Sequence, residues 1–443
     1  MGKHSLGGRQ INQTVEKGKT LLIDGPASIT LESGKAEVFG SVVSVANKVV
    51  IREGKRLPFT VEEKATFDVS LGESASAEEF GENTIPASWT RSFDELLKIQ
   101  AKPAIAMVLG AVDSGKTSFC TYLINRLLRE KQKVAILDGD LGQSDIGPPC
   151  AVAYTLVAKP VTDLFNLHAK SAFFIGSTSP NANVSRVIQD LTLLKKEILS
   201  SEPNFVIINT DGWIEGDEAF DYKAQLIKAL NPDVIFCLQQ KDELSSFLSI
   251  LGRTVVVVDS PAVIKQRTRE KRRSLRELGY VKYLKNAKVQ SIPLSWIKVE
   301  EDDLFCLGRM HEDNRQARRI YELLGMKPLH FVELKDRVCI VIGKKRWIDK
   351  DSLKRVEEFT KKEIVILRKG EEEGLLIALY NGEHKFLGIG VLREIDYVRK
   401  ALKIFTPVSK EISTVFFGKV KLDKTLKEIP LLAEGTSEAL FSP

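Results

Sequence analysis

The sequence predicts an α/β domain built on a parallel sheet, set between an N-terminal all-β domain and a C-terminal mostly β domain. Three observations predict it. Short alternating runs dominate residues 20–70, buried apolar strands alternate with amphipathic helices from Pro103 onward, and strand-like runs return after about Lys327. Alternation of period two marks half-buried strands, whereas apolar runs separated by helical periodicity mark a parallel sheet covered on both faces. The boundaries fall at 1–90, 91–300 and 301–443, and a chain of 443 residues suits about three domains.

In the first domain, runs of β type begin at Thr20, Ser28, Ala36, Asn47, Leu57 and Ala65, separated by Gly, Ser, Asn and Lys. Residues 72–83, rich in Glu, Ser and Gly, read as a linker or long loop leading to Pro86 and Trp89. In the second domain, buried strands are predicted over Ala104–Leu109, Val134–Leu137, Phe205–Asn209, Val234–Leu238 and Thr254–Val258. Helical spacing lies between them, as in Phe119, Cys120, Leu123, Ile124, Leu127 and Leu128, then Val184, Val187, Ile188, Leu191 and Leu194. In the third, strand runs contain Val338–Ile342, Ile364–Leu367, Leu375–Tyr380, Phe386–Leu392 and Thr414–Val420, with one helical segment near Ser352–Lys362. Tyr380-Asn381-Gly382 is read as a hairpin turn, because Asn-Gly accepts the positive φ that tight hairpins demand.

Composition excludes several classes. The chain is 43% hydrophobic and 28% charged with a mean hydropathy of −0.09, ordinary values for a soluble globular protein. No apolar run approaches the roughly 18–20 residues of a membrane helix. Residues 1–10 lack the apolar core of a secretory signal, and Leu6 occupies the place where myristoylation wants Ser or Thr. A cytoplasmic protein without a membrane partner is expected. Five scattered cysteines (Cys120, Cys150, Cys237, Cys306, Cys339) never form a Cys-x-x-Cys pair, which argues against a disulfide framework and a zinc site. A net charge of +6 permits nucleic acid as a partner without indicating it.

The chemistry begins at Gly110-Ala111-Val112-Asp113-Ser114-Gly115-Lys116-Thr117, which matches G-x-x-x-x-G-K-[ST] directly after a buried strand and directly before a helix. Glycines let backbone N–H groups turn inward around phosphate oxygens, and the helix N-terminus adds partial positive charge. Lys116 is placed to reach the β/γ-phosphates and Thr117 to bind Mg²⁺. The second domain is thereby read as a P-loop NTPase that binds a nucleoside triphosphate.

The strand Val134–Leu137 delivers Asp138-Gly139-Asp140-Leu141-Gly142-Gln143 to the carboxyl end of the sheet, where ligands of open α/β sheets collect. Two aspartates at i and i+2 suit one carboxylate at Mg²⁺ and one accepting a proton; a single metal carboxylate plus a loop-forming Asp is the alternative. Asp211 and Asp259 end two other strands and compete for the metal. Asp211 lies in Thr210-Asp211-Gly212-Trp213, where the indole is either a substrate clamp or a structural residue. The densest positive charge is Lys265, Arg267, Arg269, Lys271, Arg272, Arg273 and Arg276, in a helical segment of a lid at about 260–285. Arg272 and Arg276, at i and i+4, share one helical face and suit one polyphosphate; a solvated basic face is the alternative.

In order, Gly110–Thr117, Asp138-x-Asp140-x-Gly142-Gln143, Gly176-Ser177-Thr178-Ser179-Pro180, Thr210-x-Gly212-Trp213 and Arg272-x-x-x-Arg276 resemble the polynucleotide 5′-hydroxyl kinases of eukaryotic and archaeal RNA processing. Gly25-Pro26-Ala27 and Gly34–Gly40 are similar to the β domain that precedes the P-loop in that family. The resemblance covers most of the chain to about Lys288, and Ala111 departs from the Pro of many relatives. It implies ATP and Mg²⁺ as cofactors and 5′-hydroxyl ends of RNA, or of DNA, as substrate. ATP would lie along Gly110–Ser118, with Ser118 a second hydroxyl beside Thr117. Asp140 would be the general base, Asp138 would lie near the metal with Thr117, and Lys116, Arg272 and Arg276 would act on the transferring phosphate. Gln143, Thr210, Gly212 and Trp213 would meet the nucleic acid. Two rivals stand beside this: an ATP-bound assembly factor without turnover, and a GTPase. For the latter, Gln240-Lys241-Asp242-Glu243 has the lysine but not the flanks of a guanine-selecting Asn-Lys-x-Asp.

Overall fold

The computed structural model describes residues 8–248, 254–300, 315–335 and 337–431. It divides into two compact units, Met1–Ile175 with Ser179–Gly279, and Gly176–Thr178 with Tyr280–Pro443.

The first unit opens with β1 (Arg9–Val15), β2 (Thr20–Asp24), β3 (Ala27–Val38), β4 (Ser41–Val43), β5 (Lys48–Ile51), β6 (Arg56–Leu71) and β7 (Ser76–Phe80), one antiparallel seven-stranded sheet organised around the long pair β3–β6. Alternate residues of β6, among them Leu57, Phe59, Val61, Ala65, Phe67 and Val69, are buried, as period-two patterning demands. β7 corrects the linker reading of residues 72–83. Ser76–Phe80 pairs with Thr20–Asp24 as an edge strand, held by backbone bonds that require no apolar side chains.

Helix α1 (Ala87–Leu97) leads into the second sheet, and Trp89 on it is fully buried. The indole packs edge-on against Phe119 with ring centroids 5.2 Å apart, lies 6.4 Å from Phe39, and donates Nε1–H to the Asp259 carbonyl at 3.0 Å. There follow β8 (Ala104–Gly110), α2 (Lys116–Arg129), β9 (Val134–Asp138), β10 (Ala151–Val157), β11 (Ser171–Phe174), α3 (Val184–Leu199), β12 (Phe205–Asn209), α4 (Asp217–Leu230), β13 (Val234–Gln239), α5 (Ser245–Leu248), β14 (Thr254–Asp259) and α6 (Arg269–Tyr283). The strand order is β11-β10-β9-β12-β8-β13-β14. All five predicted strands are present and parallel. The sheet is nevertheless mixed: β10 and β11 extend it antiparallel from the β9 edge, two strands that apolar-run reading did not separate from their loops. Register sets Asp138 beside Asn209 and Leu238 beside Gly110, so the carboxyl ends of β8, β9, β12 and β13 lie together. Helical periodicity covers the sheet, with Phe119, Cys120, Leu123, Ile124 and Leu127 buried on α2 and Val187, Leu191, Leu194 and Ile198 on α3.

In the second unit, β15 (Lys288–Pro293), β16 (Lys298–Glu300), β20 (Leu375–Tyr380), β21 (Phe386–Asp396), β22 (Ala401–Thr406), β23 (Thr414–Leu422) and β24 (Glu428–Ile429) form a mixed sheet around Ile377, Leu379, Leu392, Leu402, Ile404 and Val415. β15 and β16 fall within the 91–300 range of the sequence reading, yet pair with β22 and β23. Between β16 and β20 lie α7 (Arg315–Leu324), β17 (His330–Glu333), β18 (Arg337–Ile342), α8 (Lys350–Thr360) and β19 (Glu363–Arg368), a three-stranded sheet with its own core of Ile320, Val338, Ile340, Ile342 and Val356. β20 and β21 are joined at Asn381–Lys385, but positive φ falls on His384 (55°), because Asn381 Oδ1 accepts from Glu383 N and Lys385 N and closes a longer loop. Among the described residues no helix is long and apolar enough to cross a membrane. Cys120, Cys150, Cys237 and Cys339 are buried and unbridged; Cys306 lies outside the described residues.

Candidate active site

β8, buried along its whole length, delivers Gly110, and α2 begins at Lys116 behind Gly115, whose φ of 97° favours glycine. The Lys116 ammonium is buried and donates to the carbonyls of Gly110 at 3.0 Å and Ala111 at 2.7 Å, so it is folded onto its own loop. Burial lowers its pKa, and Asp140 is the leading charge pulling the other way. Ser114 Oγ is buried with no hydrogen-bond partner among the described residues. A buried hydroxyl left without a partner in this loop fits a site made for phosphate oxygens. Thr117 and Ser118 are both half-buried at the start of α2.

The two aspartates after β9 differ in kind. Asp138 is fully buried: Oδ1 accepts from Asp140 N at 3.2 Å and Asn209 Nδ2 at 3.0 Å, and Oδ2 from Asp145 N at 3.0 Å and Ile146 N at 3.4 Å. Burial, with Asp140 and Asp145 nearby, pushes its carboxyl up to about 7. With both oxygens engaged by four N–H groups, Asp138 shapes the loop that carries Asp140. Asp140 is half-buried, accepts on Oδ1 from Gly142 N at 3.0 Å and Gln143 N at 2.9 Å, and has no bond to Oδ2 among the described residues. Burial raises its pKa, Lys116 opposes, and Asp211 adds to the rise.

The segment Thr210–Trp213 comes close to the P-loop at Gly212. The Thr210 hydroxyl donates to the Val108 carbonyl at 2.8 Å, and a Cβ on Gly212 would stand 2.7 Å from Val112 N, so only glycine allows this approach. Asp211 is no open metal ligand. Its Oδ1 accepts from Trp213 N at 2.9 Å, and its Oδ2 from Tyr222 Oη at 2.9 Å and the fully buried Lys223 Nζ at 2.8 Å. The Trp213 ring stacks on Tyr222, 5.7 Å between centroids, and stays half-buried. The third competitor, Asp259, is exposed at the end of β14.

The arginine-rich segment leading into α6 meets the same loop. Asp113, with a positive φ of 58°, accepts from Arg272 Nη1 at 3.2 Å, from Arg267 Nη1 at 3.2 Å and from Arg267 N at 3.0 Å. Gln143 Nε2 donates to the Arg272 carbonyl at 3.0 Å, which ties the loop after β9 to α6. Arg276 is half-buried one turn further on. The β5–β6 turn of the first sheet braces this segment: Gly54 O accepts from Arg267 Nη2 at 3.0 Å, Glu53 pairs with Lys271 at 2.5 Å, and Arg56 Nη1 donates to Val263 O at 2.9 Å. Arg52, in that turn, pairs with Asp145 and Asp163 at 2.6 Å each.

Asp140 is thus the leading opposite charge near Lys116 of the P-loop, Arg272 bonds to Asp113 of that loop, Gln143 is tied to Arg272, and Gly212 approaches Val112 closely. Sequence reading missed Lys223, Asn209 and Arg52. A lysine on the core-facing stripe of α4 was a usable signal, because full burial of a lysine requires a buried anion. Pairing of Arg52 across 93 residues leaves no local trace. The turn at 240–243 is closed by Glu243, which accepts from Gln240 N and Lys241 N.

Comparison with known proteins gives concordant matches. Residues 110–286 match the family described as mRNA cleavage and polyadenylation factor CLP1 P-loop. The chain is 29% identical over 346 residues to a polyribonucleotide 5′-hydroxyl-kinase of Methanocaldococcus jannaschii, covering 76% of this chain and 92% of that one. It is 29% identical over 334 residues to the polyribonucleotide 5′-hydroxyl-kinase of Pyrococcus furiosus, covering 75% and 91%. A CLP1 homologue of Culex quinquefasciatus is 24% identical over 302 residues, 63% of this chain and 70% of that one. In fold, it is similar to Clp1p as solved with a Pcf11p segment: TM-score 0.67, 13% identity, 93% of this chain and 98% of that one.

Proposed function

We propose, for a chain whose residues 110–286 match the CLP1 P-loop family, that it is a polyribonucleotide 5′-hydroxyl-kinase, a phosphotransferase that moves the γ-phosphate of ATP to the 5′-hydroxyl of RNA. The observation that carries this reading is Asp140: a half-buried carboxylate with one unengaged oxygen, whose leading opposite charge is Lys116 of the P-loop.

ATP lies along Gly110–Ser118, its phosphates on the backbone N–H groups and Ser114 Oγ, with Lys116 leaving its loop carbonyls for phosphate oxygen. Mg²⁺, held by Thr117 with Ser118 beside it, would supply positive charge to the β- and γ-oxygens. Asp138 keeps the loop of Asp140 in place. Asp140 Oδ2 takes the proton of the RNA 5′-hydroxyl, and a pKa raised by burial brings it nearer the working pH of a general base. Arg272 and Arg276 stabilise charge on the phosphate in flight. Gln143, Thr210, Gly212 and Trp213 form the wall for the terminal nucleotide, the indole offering a stacking face.

A second reading, an ATP-bound assembly factor without turnover, is favoured by one observation: Lys116 and Arg272 are both tied to the loop itself. Transfer of labelled γ-phosphate from ATP to a 5′-hydroxyl oligoribonucleotide and to its deoxy counterpart separates the two. Transfer to RNA supports the kinase, the deoxy arm gives the DNA preference, and ATP binding without transfer to either supports the assembly factor.

A further inference from the structure

β18 and β19 are parallel, with Ile342 opposite Arg368, and Lys369 N donates to Ile342 O at 2.9 Å. Their carboxyl ends therefore present the turn after β18 and the end of β19 side by side. The turn reads Gly343-Lys344-Lys345-Arg346-Trp347, closed by Arg346 N donating to Gly343 O at 2.9 Å and anchored by buried Ile342 and Ile348. Lys344, Lys345, Arg346 and Trp347 are all exposed, and the three cations make no ion pair or side-chain hydrogen bond among the described residues. Trp347 is 44% exposed, with the Arg368 guanidinium 4.2 Å from its ring centroid.

We propose that this turn, with Arg368, is a binding site for single-stranded RNA, separate from the phosphoryl-transfer site. Solvated basic faces are normally interspersed with acids, but no Asp or Glu occurs from Arg337 to Ile348, and of Glu371–Glu373 after β19, Glu371 accepts from Arg368 N at 3.0 Å and Glu372 is buried, accepting from Gly370 N and Ile395 N. The nearest acid in sequence, Asp349, is turned away onto its own helix, accepting from Ser352 N at 2.8 Å and Ser352 Oγ at 2.6 Å. Three adjacent unpaired cations suit successive phosphates, and an exposed indole backed by a guanidinium plane suits one unstacked base. Duplex nucleic acid would engage the cations and leave the indole unused, because its bases are already stacked. The choice of RNA as the polyanion rests on the kinase reading; the charge and the aromatic face do not.

The test uses the full-length protein and a 5′-phosphorylated, 3′-labelled single-stranded oligoribonucleotide, with binding followed by anisotropy over a range of salt. The triple variant Lys344→Ser, Lys345→Ser, Arg346→Ser should reduce the slope of log affinity against log salt by about two, at roughly 0.7 per phosphate contact. Trp347→Ala should bind about tenfold more weakly and Trp347→Phe nearly as well as wild type. Phosphorylation of a 5′-hydroxyl dinucleotide should keep its kcat in all three. An unchanged slope and affinity in the triple variant overturns the proposal. So does loss in the triple variant with none in Trp347→Ala, which marks an indiscriminate polyanion patch. If wild type phosphorylates no RNA at all, the kinase reading fails, while turn-dependent RNA affinity still upholds this site.

Discussion

Asp113, the fourth residue of the P-loop, accepts a hydrogen bond from Arg272 of α6 at 3.2 Å. The loop that would bind phosphate therefore already holds an arginine that would act on it, and the same carboxylate takes Arg267. A carboxylate beside a triphosphate site is costly unless neutralised, and two guanidiniums neutralise it. Asp113→Asn should leave those cations uncompensated, tightening ATP binding several-fold while lowering kcat through loss of the lid's anchor. Arg272→Ala should lower kcat by orders of magnitude with oligonucleotide affinity nearly unchanged. ATP titration and steady-state kinetics on the same preparations check both. Wild-type kcat in Arg272→Ala, with RNA binding strongly weakened, would make α6 a nucleic-acid patch instead.

Asp138 and Asp140 should separate under the same substitution. Asp140→Asn keeps shape but accepts no proton, so turnover should disappear while ATP binding stays. Asp138→Asn places an amide N–H₂ against N–H donors that now share its carboxylate, costing about 1–3 kcal/mol of stability. Thermal unfolding should therefore shift down in Asp138→Asn and stay nearly constant in Asp140→Asn. The reverse pattern would exchange the two roles.

Lys223→Met should be among the more damaging single changes in the first unit. It strands the buried Asp211 carboxylate, and breaking one side of a buried ion pair costs about 3–5 kcal/mol. Denaturant unfolding measures that loss. Because Asp211 also fixes Trp213 N, activity that survives at low temperature should show a raised KM for RNA. A variant as stable as wild type would remove the ion pair from the account.

Acid should loosen the brace beneath the lid. Asp24 is buried, which raises its pKa, but the two hydrogen bonds from Arg56 and its charge outweigh burial and hold it at about 2 against an ordinary 3.8. A carboxyl depressed in the folded state adds stability at higher pH, and that contribution is lost as pH falls through the window from 3.8 to about 2. Wild type should lose stability more steeply there than Asp24→Asn, which starts lower at neutral pH. Parallel pH profiles for the two proteins would contradict this.

The strands of the second domain were legible because each is an apolar run long enough to be buried, and the P-loop because its glycines and lysine are contiguous. Sequence also placed Asp140 and Gln143 at the right strand end. The residue pattern alone did not distinguish Asp138 from Asp140, which only the family resemblance assigned, since that difference lies in Asn209 and the N–H groups of Asp145 and Ile146, brought in by register and loop closure. β7 escaped notice because an edge strand needs backbone partners only. The helix at α6 and the N-terminal sheet were each legible as elements, but their joint at Gly54, Arg56 and Arg267 spans over 200 residues and leaves no periodicity.

The central claim is that the P-loop, Asp140 and the lid together phosphorylate a 5′-hydroxyl. Single-turnover transfer from γ-labelled ATP to a 5′-hydroxyl oligoribonucleotide, by wild type and by folded Lys116→Ala side by side, tests it most directly. The account predicts label at the RNA 5′ end with wild type and essentially none with Lys116→Ala, whose far-UV spectrum and unfolding midpoint remain those of a folded protein. Equal transfer by the two proteins would contradict it.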